Sequence, residues 1–368
     1  MRKKTIQIVT FNNPYPPNYG GAIDMYYKIK ALSEQGVQIS LHVFYEDRVD
    51  LGDLKLYCEN ITLYKRDRRV LKHLSFKPFA VTSRSSRALV KNLKASKDPV
   101  LFESLRTLWV LGKVDLSQKT AVRCHNIEHD YSWGLYRNET NWLKKIAYLL
   151  EGYKYKYFES ILNKANVLMP LSYYDFEYFK TRYQVPTYFL PVFQGSNSIE
   201  SKEGMGAYAL YHGDLSVADN VKSAHFILNV FKNLDRPLII ASSTINPSII
   251  KAVKACDNIT FQAIKNEEQL TKLIKEAHIN TLYSFQRSGT KLKVFNALFK
   301  GRFCIVNTNV VDDEDVLSQC DIAEDQEHYK QTVLNLFEQS FVLTQSRVGV
   351  LQKYQAAHNA EKIINIML

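Results

Sequence analysis

Apolar and polar positions along this chain recur with two periods. Short runs such as TIQIVTF (5–11), VQISLHVF (37–44), ENITLY (59–64), PVLF (99–102), KTAVRC (119–124) and VLMPL (167–171) are apolar and bounded by polar or turn residues, the pattern of buried strands. Between them lie longer stretches of helical period, for example AIDMYYKIKALSEQG, which Gly36 closes as a C-terminal stop. Strand, helix, strand repetition predicts parallel sheets with right-handed crossovers. The segment VFQGSNSIESKEGMG (192–206) breaks the rhythm with Gly, Ser and charge and reads as a linker. A second series follows: GAYALYH (206–212), RPLIIAS (236–242), NITFQA (258–263), INTLYSF (279–285) and RFCIVN (302–307). A last helix is predicted from Ser346 to Met367, with Val348, Leu351, Ala356, Ile363 and Ile364 at helical spacing.

The expected architecture is α/β, with two Rossmann-like domains over residues 1–192 and 206–345 facing a central cleft, and residues 346–368 packing back on the first domain. At 368 residues the chain exceeds what one core usually serves. Open α/β sheets bind ligands at the carboxyl ends of their strands, so residues just after strands carry the chemistry.

With 46% hydrophobic and 23% charged residues the composition is that of a globular protein. No uncharged run approaches about twenty residues, which excludes a spanning helix, and the basic start MRKKTIQIVTF leads into a strand rather than a signal peptide. Five scattered cysteines without a C-x-x-C pair suggest reduced thiols of a cytoplasmic protein. The net charge of +11 is uneven: residues 1–190 hold 30 Lys+Arg against 18 Asp+Glu, and residues 191–368 hold 18 against 19. Residues 65–97 carry eleven basic side chains against a single Asp67, with Leu71, Leu74, Phe76 and Phe79 interleaved. Charge mixed with apolar anchors suits an anionic membrane surface, although a charge run also suits an ordinary solvated face. NWLKKIAYLLEGYKYKYF (141–158) adds to the same character.

Four strand ends stand out. Gly20 and Gly21 precede a helix, where the pair either makes a turn or, through close backbone approach and unpaired N–H groups, favours an anion. RCHNIEHD places His125, Asn126, Glu128, His129 and Asp130 together; the imidazole can polarise a hydroxyl, while the carboxylates either bind sugar hydroxyls, act as a base, or simply face the next helix dipole. In YHGDLSVADNVKSAHF, His212 ends a strand, Gly213 makes the turn, and Asp219 or Asn220 is placed to cap the helix. In FQRSGTKLKVF, the Ser288-Gly289-Thr290 loop precedes a helix with Lys291 and Lys293 in its first turn, an arrangement that makes sense around a diphosphate. There is no G-x-G-x-x-G or G-x-x-x-x-G-K-[ST], which disfavours dinucleotide dehydrogenases and P-loop enzymes.

On PYPPNYGGAIDMYYKIKALSEQGVQISL, RCHNIEHD, HGDLSVADNVKSAHF and SGTKLKVFNALFKGRFCIV, the chain resembles retaining, nucleotide-sugar-dependent glycosyltransferases of the GT-B fold, in particular bacterial cell-surface polysaccharide members. The resemblance implies donor contacts at Gly20, Gly21, Gly213, Asp214, Leu215, Gly289, Thr290 and Lys291, a sugar contact at His125, and no metal or other cofactor. Glu128 and Asp130 complete the expected catalytic set and Asn126 lies on the acceptor side. Two glutamates common in the family are replaced by Ser288 and Asn296, and Ser242-Ser243-Thr244 lacks the expected basic residue, so Lys222, Lys291 or Lys293 is expected to substitute. The acidic run Asp312-Asp313-Glu314-Asp315 reads as a helix cap. The expected partners are a nucleotide sugar, a glycan or lipid-linked acceptor and an anionic membrane surface on its cytoplasmic side, without nucleic acid. Two rivals are a non-catalytic nucleotide-sugar- or partner-binding protein, motivated by Ser288 and Asn296, and a nucleotide-sugar epimerase.

Overall fold

A computed structural model describes residues 4–47, 49–196, 198–286 and 292–368. It divides into two compact units: one runs to Gly195 and resumes with Tyr354–Leu368, and the other is Ser196–Lys353.

In the first unit β1 (Thr5–Thr10), β2 (Gln38–Tyr45), β3 (Asn60–Lys65), β4 (Val100–Glu103), β5 (Thr120–Cys124) and β6 (Val167–Pro170) form one sheet in the order β3-β2-β1-β4-β5-β6. All pairings are parallel, with Ile8 of β1 opposite both Leu41 and Leu101. A parallel sheet is covered on both faces, which is why these strands are apolar throughout. Ile6 and Ile8 enter one core layer with Leu41, Val43 and Leu101, whereas Val9 enters another with Phe102 and Val122. The helix Gly20–Glu34 covers the first layer through Ile29 and Leu32, and Gly36 follows it at φ 77°.

The helix predicted over 346–367 is in fact two. Gln345–Gln352 and Ala356–Met367 are separated at Gln355, whose extended backbone (φ −66°, ψ 141°) stops propagation. The first piece stays in the second unit, where buried Arg347 donates to the carbonyls of Ala297, Gly301 and Arg302 and so satisfies the end of the helix Leu292–Lys300. The second piece packs Ala360, Ile363 and Met367 into the first unit's core.

The second unit repeats the plan. Its strands are β7 (Ala209–His212), β8 (Leu238–Ser242), β9 (Ile259–Ala263), β10 (Ile279–Thr281), β11 (Phe303–Val306) and β12 (Asp321–Ile322), in the order β12-β11-β10-β7-β8-β9. Counted from each unit's own first strand, the two orders are identical and match the Rossmann order 3-2-1-4-5-6. The strand predicted over 279–285 is only three residues long. Its continuation bends away because Ser284 Oγ and Phe285 N donate to the Asp219 carboxylate (3.0 and 3.1 Å).

Candidate functional site

Strand order reverses between β1 and β4 in the first unit and between β7 and β10 in the second, and ligands of such sheets bind beside the carboxyl ends at that point. Each unit has a cluster of polar side chains there.

In the first unit the cluster is a buried ionic network. Lys28 Nζ lies 2.8 Å from Asp24 Oδ2 and 2.7 Å from Glu103 Oε1, and Arg123 meets Asp24 at 2.9 Å. Asp24 and Lys28 are four residues apart, hence one above the other on the sheet-facing side of their helix. Glu103 ends β4 and Arg123 lies within β5. Two acids meet a lysine and an arginine, and this mutual pairing is what lets four charged groups be buried. Burial opposes ionisation of Asp24, but Arg123 and then Lys28 outweigh it and hold the carboxyl far below its usual range. Glu103 is likewise held down, with Lys28 and the His125 hydrogen bond overcoming burial. Arg123 also donates to the carbonyls of Leu190 and Pro191 (2.5 and 2.9 Å), tying down the chain as it leaves the sheet.

His125, buried just past β5, has its Nε2 2.8 Å from Glu103 Oε2. An ionised carboxylate only accepts, so His125 Nε2 is the donor in this bond. Ligand-type atoms of Asp24, Glu103 and His125 lie within 4.8 Å of one another. The Lys28 ammonium, however, already occupies the space a cation would need between the two carboxylates.

Gly20 and Gly21 open the helix Gly20–Glu34, which has no side-chain cap and no acidic residue in its first turn. A Cβ on Gly21 would stand 2.8 Å from the Phe11 ring, and that ring meets His125 edge-on at 5.3 Å. The glycine pair and His125 are therefore joined through Phe11. Arg84 Nε donates to the Phe11 carbonyl (2.6 Å) and the Arg106 guanidinium lies over the ring at 5.4 Å. Burial, reinforced by Arg66 and Arg106, pushes the Arg84 pKa down to about 9. A cavity of about 290 Å³ adjoins this end, lined by Asn12, Asn18, Tyr19, Tyr45, Glu46 and others.

The remaining residues of RCHNIEHD diverge. Glu128 is buried and chelated by Arg106 (Nε 3.1 Å, Nη2 2.9 Å) while also accepting from Ser104 Oγ at 2.6 Å. Both its oxygens are committed, so it braces the strand-end turn rather than standing free as a base. His129 turns inward toward Glu159, 3.4 Å away. Asp130 and Asn126 are half-buried, with Asp130 3.6 Å from His129.

In the second unit Gly213 follows β7 directly, and a Cβ there would lie 2.7 Å from Lys293 Nζ. A side chain at this position would displace that ammonium from its present place. Lys293 also donates to Asn220 Oδ1 (2.9 Å). Asn220 and Asp219 do not cap the helix Ala218–Phe231, whose N-cap is Val217; their side chains are drawn instead to Lys293 and to Ser284 and Phe285. Asp214 is exposed and accepts from Ser216 N and Thr244 Oγ1, both at 2.9 Å; Leu215 is buried. Where a basic residue is missing, Ser242 and Thr244 thus tie two loops together through hydroxyls. Lys222 lies over the Phe285 ring at 3.9 Å. Gly213, Asp214, Leu215 and Lys293 are thereby assembled around one strand end. Gly289, Thr290 and Lys291, with Ser288, lie outside the described residues; Asn296 is half-buried within Leu292–Lys300. Asp313 caps Glu314–Leu317 as its sequence suggests.

Sequence reasoning missed Asp24, Lys28, Glu103 and Arg123. Their signal was present: a charge inside otherwise apolar strands (VLFE, TAVRC) and charges at i and i+4 on a buried helix face.

No known protein-family pattern matches the chain. It is 26% identical, over 83% of its own length and 83% of the other's, to an uncharacterized 44.6 kDa protein in the cps region of Klebsiella pneumoniae. Among solved structures, a glycosyltransferase from Rickettsia africae superposes with a TM-score of 0.66 at 12% identity, covering 100% of this chain and 98% of that one. A trehalose-6-phosphate protein from E. coli, bound with UDP-2-fluoro glucose, gives 0.65 at 10% identity over 99% of both chains. The fold is that of the two-domain, Rossmann-like GT-B glycosyltransferases.

Proposed function

We propose that this protein is a glycosyltransferase that moves a sugar from a nucleotide-sugar donor to a glycan or lipid-linked acceptor in polysaccharide synthesis. The observation that carries this is the second unit's strand end, where Gly213 admits the Lys293 ammonium beside the first turn of Ala218–Phe231. A helix N-terminus and a lysine at a glycine turn are suited to a diphosphate. Lys222, Asp214 and Leu215 border the nucleotide in this reading, and Gly289, Thr290 and Lys291 complete the donor set. The context of the Klebsiella relative fits polysaccharide synthesis.

On the acceptor side, the polar cavity around Asn12, Asn18 and Tyr19 offers donors and acceptors to sugar hydroxyls, and Asn126 and Asp130 stand at the same sheet end. His125 contacts the transferred sugar, its orientation fixed by Glu103. Transfer proceeds with retention: the acceptor oxygen bonds to the anomeric carbon, the bond to the diphosphate oxygen breaks, and the departing diphosphate takes the acceptor's proton. Charge on the leaving group is met by Lys293 and the helix dipole rather than by a metal.

The test is incubation with UDP-, GDP- and dTDP-sugars labelled in the sugar, with and without a bacterial lipid extract. Label entering the acceptor fraction with release of nucleoside diphosphate supports the reading. A sugar changed in configuration while still on its nucleotide would replace it with epimerisation.

A further inference from the structure

The helix Trp142–Phe158 presents an apolar face to solvent. Leu143, Ile146, Leu150, Tyr153 and Tyr157 recur three or four residues apart, which puts them on one stripe, and all five are exposed, Tyr157 at 80%. The face turned to the protein is made by Gly152, Tyr155 and Phe158. A surface helix normally shows the opposite arrangement, and large exposed apolar patches mark interaction sites.

A second segment adjoins it. Val70, Leu71, Leu74 and Phe76 are exposed, Phe76 at 89%. Lys154 Nζ donates to the His73 carbonyl (2.9 Å) and the Glu151 carboxylate accepts from Phe79 N (2.8 Å), so the turn containing Phe76 is tied to the helix's C-terminal half. His73 stacks on Phe79 at 3.7 Å and fixes the turn's base. Residues 65–77 and 141–158 together hold ten Lys and Arg against Asp67 and Glu151. Not every basic residue of the longer run faces out, since Arg84 is buried.

We infer that this joint surface docks the protein on an anionic lipid bilayer, with the Leu143–Tyr157 stripe and Phe76 entering the headgroup boundary and the lysines contacting phosphates. Charge selects this occupant over a second copy of the chain. A two-fold contact would place like charge against like charge, whereas an anionic bilayer complements both the apolar stripe and its basic flanks. The inference deepens the proposed function only in supplying the surface from which a lipid-linked acceptor is reached; vesicle binding itself does not depend on it.

The experiment is flotation of the full chain with vesicles of phosphatidylcholine alone or mixed with phosphatidylglycerol, at low and high salt. Binding is expected only to the mixed vesicles, weakening with salt as screening shortens to about 3 Å at 1 M. Lys144→Gln and Lys145→Gln should each reduce partitioning about fivefold, and Phe76→Glu with Leu150→Glu should abolish it. Lys144, Phe76 and Leu150 are exposed and Lys145 is half-buried; circular dichroism should be unchanged in all four. Equal flotation with both lipids, or insensitivity to Phe76→Glu and Leu150→Glu, overturns the inference. So does a dimer in sedimentation velocity that these substitutions convert to monomer. Nucleotide-sugar binding by the same variants separates the two claims: its absence from wild-type protein that still floats defeats the enzymatic reading alone.

Discussion

Replacing Lys28 by Met keeps most of the side-chain volume and removes the ammonium that touches both Asp24 and Glu103. Asp24 retains Arg123 at 2.9 Å, so Glu103 is the acid left exposed to the loss, with only His125 beside it. Breaking a buried pair by removing one partner costs about 3–5 kcal/mol, and full burial of Lys28 and Glu103 leaves no solvent to soften this. The cost carries a pH signature. In the wild type, Glu103 is held below its ordinary range, so its contribution is complete above the unfolded value near pH 4.3 and is lost only as pH falls further. In Lys28→Met, Glu103 should instead take up a proton in the folded protein more readily than in the unfolded chain. The variant's deficit should therefore be largest at neutral pH and shrink by up to about 1.4 kcal/mol per pH unit on acidification towards pH 5. All three tryptophans, Trp109, Trp133 and Trp142, lie in the first unit, so urea titration followed by tryptophan fluorescence reports on that unit alone. A deficit below about 1 kcal/mol, or one independent of pH, would refute the reasoning about this network.

Gly213→Ala should push the Lys293 ammonium from its place and weaken nucleotide-sugar affinity about tenfold or more, read by calorimetry, with little change in the fold. His125→Ala should lower kcat more than it weakens donor binding, because the side chain is placed to act on the transferred sugar; equal losses in both would make it a purely structural residue. Glu128→Gln should be read mainly as lost stability of about 1.5–3 kcal/mol, since both oxygens hold Arg106 and Ser104. Burial pushes His42 down to about 4, and burial with Lys293 pushes His212 down to about 3. Each stays neutral in the folded chain while the unfolded chain protonates near pH 6.5, so each unit should lose stability as pH falls from about 6.5, by up to about 1.4 kcal/mol per pH unit per histidine; pH-dependent urea melts check this.

Much of the fold was legible because a parallel sheet needs apolar strands, and ILVF-rich runs between helical periods announce them. What was not legible depends on tertiary partners. The strand read through Phe285 ends early because Asp219, distant in sequence, captures Ser284 and Phe285. The last helix breaks at Gln355, where the chain leaves the second unit for the first, a change of partner that helical periodicity alone does not encode. At the site, RCHNIEHD looked like one cluster, yet its side chains face different neighbours: His125 faces Glu103, Glu128 faces Arg106, and His129 faces Glu159. Linear proximity at a strand end brings residues to one place without aiming them at one point. Conversely, Asp24, Lys28, Glu103 and Arg123 come from three separate elements, and only the sheet order unites them.

The claim that the second unit's strand end holds a nucleotide-sugar diphosphate is tested most directly by calorimetric titration of UDP-, GDP- and dTDP-sugars into the wild-type protein and Lys293→Met. Saturable binding of at least one donor by the wild type is expected, with affinity about tenfold or more weaker in Lys293→Met and the variant's thermal unfolding otherwise unaltered. Binding of equal strength to both proteins, or no binding of any nucleotide sugar to the wild type, would contradict it.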